Sequence, residues 1–183
     1  MLVYSALLVT AGMFVLAMFG FFLVSRGSIV KRIALAVCLL LAAAGIVQGV
    51  LVGSPPSLWQ KVLCLTLTIV SHIVFLSATQ AHRDKPAAAY AENARLPLVT
   101  SGPYAYVRHP FYLAYLLVFL AGAIVTDQWS AWIGPAVLTV IYHGTAHAEE
   151  KLILASDHQE SYQRYQKNTG MLLPKVFRIL NSR

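Results

Sequence analysis

Hydrophobic residues run along this chain in long blocks separated by short polar stretches. From Met1 to Ser25 no residue is charged. A block of that length without a basic leader predicts a membrane span rather than a cleaved signal. A second apolar block covers 33–53 and a third covers 62–80, each about the 20 residues that a tilted helix needs to cross the hydrocarbon. Two more follow, 111–126 and 129 to about 146, separated only by Asp127-Gln128, which reads as a tight helical hairpin. The first of that pair is short and Gly134-Pro135 interrupts the second, so tilting, kinking or partial re-entry is expected there. The long polar stretches are 82–110 and 149–183. The pattern predicts an all-α integral membrane protein with about five transmembrane helices, the last two a hairpin, and a cytoplasmic C-terminal helix. It forms a single membrane domain over 1–183, with three spans in 1–81 and a loop, hairpin and tail in 82–183.

In the second block Gly45, Gly49 and Gly53 recur at four-residue spacing. Small residues so placed let helix backbones approach closely. Packing within the bundle is the plain reading, and a homodimer seam through this face is the alternative.

Composition agrees with the pattern. The chain is 58% hydrophobic and 11% charged, against about 25% charged residues in soluble domains. Its net charge of +7 comes without any dense Lys/Arg run or interleaved aromatic patch, which argues against nucleic acid as a partner. With five spans, thirteen of the fourteen Lys and Arg lie on one side and only Lys61 on the other. The positive-inside rule then places the N-terminus outside and the C-terminus in the cytoplasm, in a bacterial-type inner membrane or an endomembrane. Trp59, Trp129 and Trp132 fall where interface aromatics belong, and membrane lipids are the expected surroundings. Cys38 and Cys64 sit inside apolar blocks and read as small buried hydrophobes.

Candidate chemistry concentrates on that same side. Leu98 to Tyr112 reads L-V-T-S-G-P-Y-A-Y-V-R-H-P-F-Y. Gly102-Pro103 marks a turn, and Pro110 suits the first turn of a helix. Arg108 and His109 therefore sit at a helix mouth, a natural place for an anion. Tyr104, Arg108, His109 and Tyr112 within nine residues read as a site. The second cluster is His143, His147, Glu149 and Glu150. His143, His147 and Glu150 recur at i, i+4 and i+7, so they are expected to share a helical face. Adjacent carboxylates there call for a cation, either Arg108 or a ligand ammonium. Six scattered histidines without an H-E-x-x-H pattern point to no metal. The third stretch, 160–174, reads as a polar helix ending near Gly170 with an apolar return, a surface helix lying on the bilayer.

Together these stretches resemble the isoprenylcysteine carboxyl methyltransferase-like family of integral membrane enzymes, related to the phospholipid methyltransferases. The matching elements are Leu98 to Tyr112, Glu149-Glu150, Tyr162 with Tyr165, and Leu172 to Pro174. The resemblance implies S-adenosylmethionine as methyl donor. Leu98, Val99, Gly102, Tyr104, Arg108, His109, Tyr112, Glu149 and Glu150 would hold it, with Arg108, His109 and Glu150 as catalytic residues. Tyr106 is a further aromatic that would touch the adenosine or the sulfonium. A lipophilic acceptor would enter from the bilayer, and carboxylate O-methylation is the expected reaction. An amine acceptor would need a base, for which His109 or Glu150 would serve. The rival readings are a phospholipid or amine N-methyltransferase, a membrane reductase of the steroid-reductase type, and a non-enzymatic relative.

Overall fold

The computed structural model describes residues 55–81, 98–126 and 128–175, with Leu7, Thr10, Gly12, Val47 and Leu51 before them. The first two predicted spans, apart from those five residues, and the Gly45, Gly49 and Gly53 face lie outside the described residues. So does 82–97. Among the described residues all regular structure is helical: α1 (Leu58–Ala81), α2 (Pro110–Thr126), α3 (Ile133–Leu154) and α4 (Gln159–Asn168), with 3-10 turns at Gly102–Ala105 and Trp129–Trp132.

α1 starts four residues before the predicted block. Ser57 donates through its backbone N and its Oγ to Gln60 Oε1, at 2.8 and 2.7 Å. This is half of an S-x-x-Q capping box, which draws Leu58 to Lys61 into the first turn. α1 is the one helix among the described residues long and apolar enough to cross a membrane. Leu58, Val62, Ile69, Ile73 and Leu76 are all exposed along it, at the three-, four- and seven-residue steps that build one helical stripe. α2 begins at Pro110 as predicted, and none of its residues is exposed.

The chain divides into two compact units, 1–72 with 115–140, and 73–114 with 141–183. In the first, Gln60 Nε2 donates to the Ile124 carbonyl at 3.1 Å, joining the start of α1 to the end of α2. A Cβ on Gly134 would lie 3.4 Å from the Phe119 ring. Gly134-Pro135 does not interrupt a helix. It forms the first turn of α3, where proline costs no hydrogen bond because the first amides have no intrahelical acceptor. From there α3 runs unbroken to Leu154, eight residues past the predicted end. Its buried stripe is Gly134, Leu138, Tyr142, Ala146 and Glu150, each four residues after the last.

The second unit holds the loop 98–109, the C-terminal half of α3, and α4. Val99 and Tyr104 pack with Ala78 of α1, and Ala81 and Phe111 lean against them. The Phe75 and Phe111 rings meet edge to face at 5.4 Å. The loop is thereby pinned beneath α1 by apolar burial before any polar group is placed.

Candidate active site

The loop turns at Gly102, whose φ of +60° is the left-handed conformation that glycine adopts without a Cβ penalty. Tyr104 N donates to the Ser101 carbonyl at 3.2 Å, and Tyr106 N and Val107 N both donate to the Pro103 carbonyl at 3.1 Å. The turn delivers Val107, Arg108 and His109 to the mouth of α2.

A strap from the C-terminal tail meets them there. Val107 and Gly170 form an isolated parallel bridge. Arg108 N donates to the Gly170 carbonyl at 2.8 Å, His109 N to the Met171 carbonyl at 3.1 Å, and Gly170 N to the Tyr106 carbonyl at 3.4 Å. Tyr165 Oη donates to the Tyr104 carbonyl at 2.6 Å. Gly170 is required by space: a Cβ there would lie 1.7 Å from the Leu173 carbonyl oxygen. α4 is closed by Lys175, whose Nζ donates at 2.9 Å to the carbonyls of Gln166 and Lys167, the cation and donor that a helix C-terminus favours.

On this frame sits a buried polar cluster. Arg108 Nε donates to Glu150 Oε1 at 2.7 Å and Arg108 Nη2 to Glu150 Oε2 at 3.2 Å. Arg108 Nη1 donates to the Thr169 carbonyl. The two side chains are 9% and 5% exposed. His109 Nε2 lies 3.1 Å from Glu150 Oε1, and its Nδ1 lies 3.6 Å from Glu149 Oε2. Gln166 Nε2 donates to Glu150 Oε2 at 2.7 Å. Glu150 therefore has two partners on each oxygen. Burial pushes its carboxyl upward, but the hydrogen bonds from His109 and Arg108, the Arg108 charge and Gln166 outweigh that and hold it at about 2. Beneath it, burial and the Glu150 charge raise the Tyr162 phenol well above its ordinary value.

Glu149 is placed differently. It is 29% exposed and accepts a hydrogen bond from Tyr112 Oη at 2.7 Å. Tyr112 stands in the middle of a three-ring stack, 5.4 Å from the His109 ring and 4.6 Å from the Tyr142 ring, both within 5° of parallel. Arg108 pairs with Glu150, which leaves Glu149 as the carboxyl without a guanidinium or ammonium partner among the described residues, beside an aromatic wall.

The structure brings Tyr112, Arg108, His109, Glu149 and Glu150 together, as their clustering in sequence suggests. Gly102, Val99 and Tyr104 shape and pack the loop, Leu98 is half-buried at its start, and Tyr106 is exposed. His143 and His147 do not join. Their rings touch each other edge-on at 4.6 Å, on an exposed face of α3. The expected grouping with Glu150 fails because the buried stripe follows the four-residue step from Tyr142 and Ala146, and the histidines lie to one side of it.

Gln166, Thr169 and Tyr142 are site residues that the sequence reasoning misses. Tyr162, Gln166 and Thr169 stand at i, i+4 and i+7, a spacing that marks one face of the tail helix and its exit. That signal is present in the sequence.

A profile described as phospholipid methyltransferase matches residues 59–160. The methanethiol S-methyltransferase of Pseudomonas deceptionensis is 32% identical over 121 residues, covering 66% of this chain and 43% of that protein. The methanethiol S-methyltransferase of Crocosphaera subtropica is 34% identical over 89 residues, covering 48% of this chain and 34% of that protein. The similarity thus spans less than half the length of either relative.

Proposed function

This chain belongs to the phospholipid methyltransferase family, and on that premise we propose that it is a methyltransferase, moving a methyl group from S-adenosylmethionine to a lipophilic or small apolar nucleophile. The observation that carries the reading is the unequal carboxylate pair. Glu150 is paired with Arg108, while Glu149 has no guanidinium or ammonium partner among the described residues and is partly exposed beside stacked rings. That arrangement fits a donor bearing a sulfonium and an α-ammonium, by charge pairing and by attraction of a cation to an aromatic face.

When bound, the donor supplies an electrophilic methyl carbon. The acceptor's lone pair would take that carbon, and the electrons of the carbon–sulfonium bond would return to sulfur. Arg108, Gln166 and the tail strap hold Glu150 rigid, so His109 keeps one orientation above it. Positioning and exclusion of water are then the chain's main contributions.

The acceptor expected from sequence is a carboxylate, which needs no base. The two relatives named for methanethiol favour a thiol, which must lose a proton. Glu150 is a poor base: its oxygens are saturated and its carboxyl is held at about 2. Glu149 has the spare acceptor capacity, with Tyr112 on one oxygen and His109 at 3.6 Å from the other. We assign proton removal from a thiol to Glu149. A bilayer setting, with the N-terminus outside and the site on the cytoplasmic side, is supported by the exposed apolar stripe of α1 and the one-sided Lys and Arg.

Calorimetry with S-adenosylhomocysteine on the detergent-purified chain tests the donor. Binding that is lost in Glu149→Gln and His109→Ala supports the reading, and wild-type affinity in both sinks it. Methyl-labelled donor with membrane extract or with alkanethiols tests the acceptor. A base-stable thioether product identifies sulfur, a base-labile product identifies a carboxylate ester, and a base-stable amine identifies nitrogen.

A further inference from the structure

One cavity among the described residues takes no part in the proposed methyl-transfer chemistry. It lies between the start of the loop and α4 and is lined by Thr100, Ala105, Arg164, Tyr165, Asn168 and Thr169. We propose that this cavity is a phosphate-binding subsite, distinct from the carboxylate cluster. It would take the phosphate of a lipid headgroup or free phosphate.

Three observations carry it. Arg164 makes no ion pair among the described residues, although Glu160 stands one turn before it. Two other cations near this end are committed, Arg108 to Glu150 and Lys175 to the last carbonyls of α4. Thr169 is fully buried, and its Oγ1 has no hydrogen-bond partner among the described residues. An unsatisfied buried hydroxyl is destabilising, and a ligand oxygen drawn against it would give it a partner. Finally, Thr100 and Asn168 add neutral polar groups around a guanidinium, the donor set that phosphate oxygens favour over a point charge alone. The cavity is open on one side and has a volume of about 260 Å³, roughly nine waters at ~30 Å³ each, so a phosphate leaves room for an ester against Ala105 and the Tyr165 ring. Carboxylates are absent from the lining, whereas they dominate the donor cluster. This is a site for the opposite charge.

Thr169 also links the two places, because its carbonyl accepts from Arg108. A phosphate drawing in its side chain would brace the residue that braces the arginine. The subsite does not depend on the identity of the methyl acceptor.

The test uses the full chain in a phosphate-free maltoside detergent. One arm titrates inorganic phosphate, and the other adds phosphatidylglycerol to the micelles with diacylglycerol as control. Thermal unfolding and phosphorus NMR line broadening are the readouts. We expect a rise in Tm in at least one phosphate arm and none with diacylglycerol. Arg164→Ala should weaken that binding about ten-fold or more, the loss of one charge-assisted hydrogen bond. Thr169→Val, which removes the orphaned hydroxyl at equal volume, should keep or raise the ligand-free Tm and still weaken binding several-fold. A response in the lipid arm alone identifies a headgroup, and one in the inorganic arm identifies a free-phosphate site. No binding in either arm overturns the proposal. So does binding unchanged in both variants, or displacement of phosphate by S-adenosylhomocysteine.

Discussion

Arg108 and Glu150, 42 positions apart, meet as a two-pronged pair at 2.7 and 3.2 Å inside the protein. Removing one member leaves the other buried and uncompensated, which typically costs about 3–5 kcal/mol. Arg108→Ala should therefore lower stability by that order as well as abolish methyl transfer, measured by thermal unfolding in detergent. Arg108→Lys keeps the charge but cannot serve both Glu150 oxygens and the Thr169 carbonyl together. It should recover part of the stability and little of the activity.

The two glutamates should separate in their effects. Glu149→Gln touches a partly exposed group with one phenol partner, so it should leave stability within about 1 kcal/mol of wild type while donor affinity falls at least ten-fold. Glu150→Gln should lower both. Tyr112→Phe, which removes the hydrogen bond to Glu149 and keeps the ring stack, should reduce kcat/KM about ten-fold. Equal Tm losses in Glu149→Gln and Glu150→Gln would contradict this division.

Acid should loosen the structure in a defined window. The Glu150 carboxyl is held down from 4.5 to about 2 in the folded chain, so the unfolded state takes up its proton first as pH falls. The stabilisation from this group is complete above about 4.5 and is lost progressively from there to about 2. Tm measured from pH 6 to pH 3 should fall, and Glu150→Gln should flatten that part of the slope.

Two glycines make a matched pair. Gly170→Ala would drive a Cβ into the Leu173 carbonyl and should displace the strap, with loss of donor binding. A Cβ added at Gly144, on an exposed face of α3, would meet nothing within 4 Å. Gly144→Ala should raise stability by about 0.5–1 kcal/mol through helix propensity and keep activity.

Much of the site is legible in the sequence, and for a physical reason. Arg108, His109, Glu149 and Glu150 are ionisable groups bordering long apolar blocks, where only pairing or function keeps them. Helix ends are less legible. The start of α1 depends on Gln60 reaching back to Ser57, and the start of α3 on a proline that tolerates a first turn, and hydropathy registers neither. Least legible is the strap. Its bonds run backbone to backbone between 106–109 and 170–171, so side-chain chemistry carries almost no trace of them. In the sequence Gly170 reads only as the end of a helix, although it is the residue that lets the tail pass. His143 and His147 mislead because periodicity shows that residues share a helical face without showing which face is buried.

That strap also sets an order of events during synthesis. The amides of Arg108 and His109 find their acceptors at Gly170 and Met171, so every acid and base of the cluster leaves the ribosome before the segment that fixes them. A nascent or clipped chain ending after α3 would carry all the reactive side chains and no assembled centre. On the proposed function, docking of residues 170–171 against 106–109 is the step that assembles the centre.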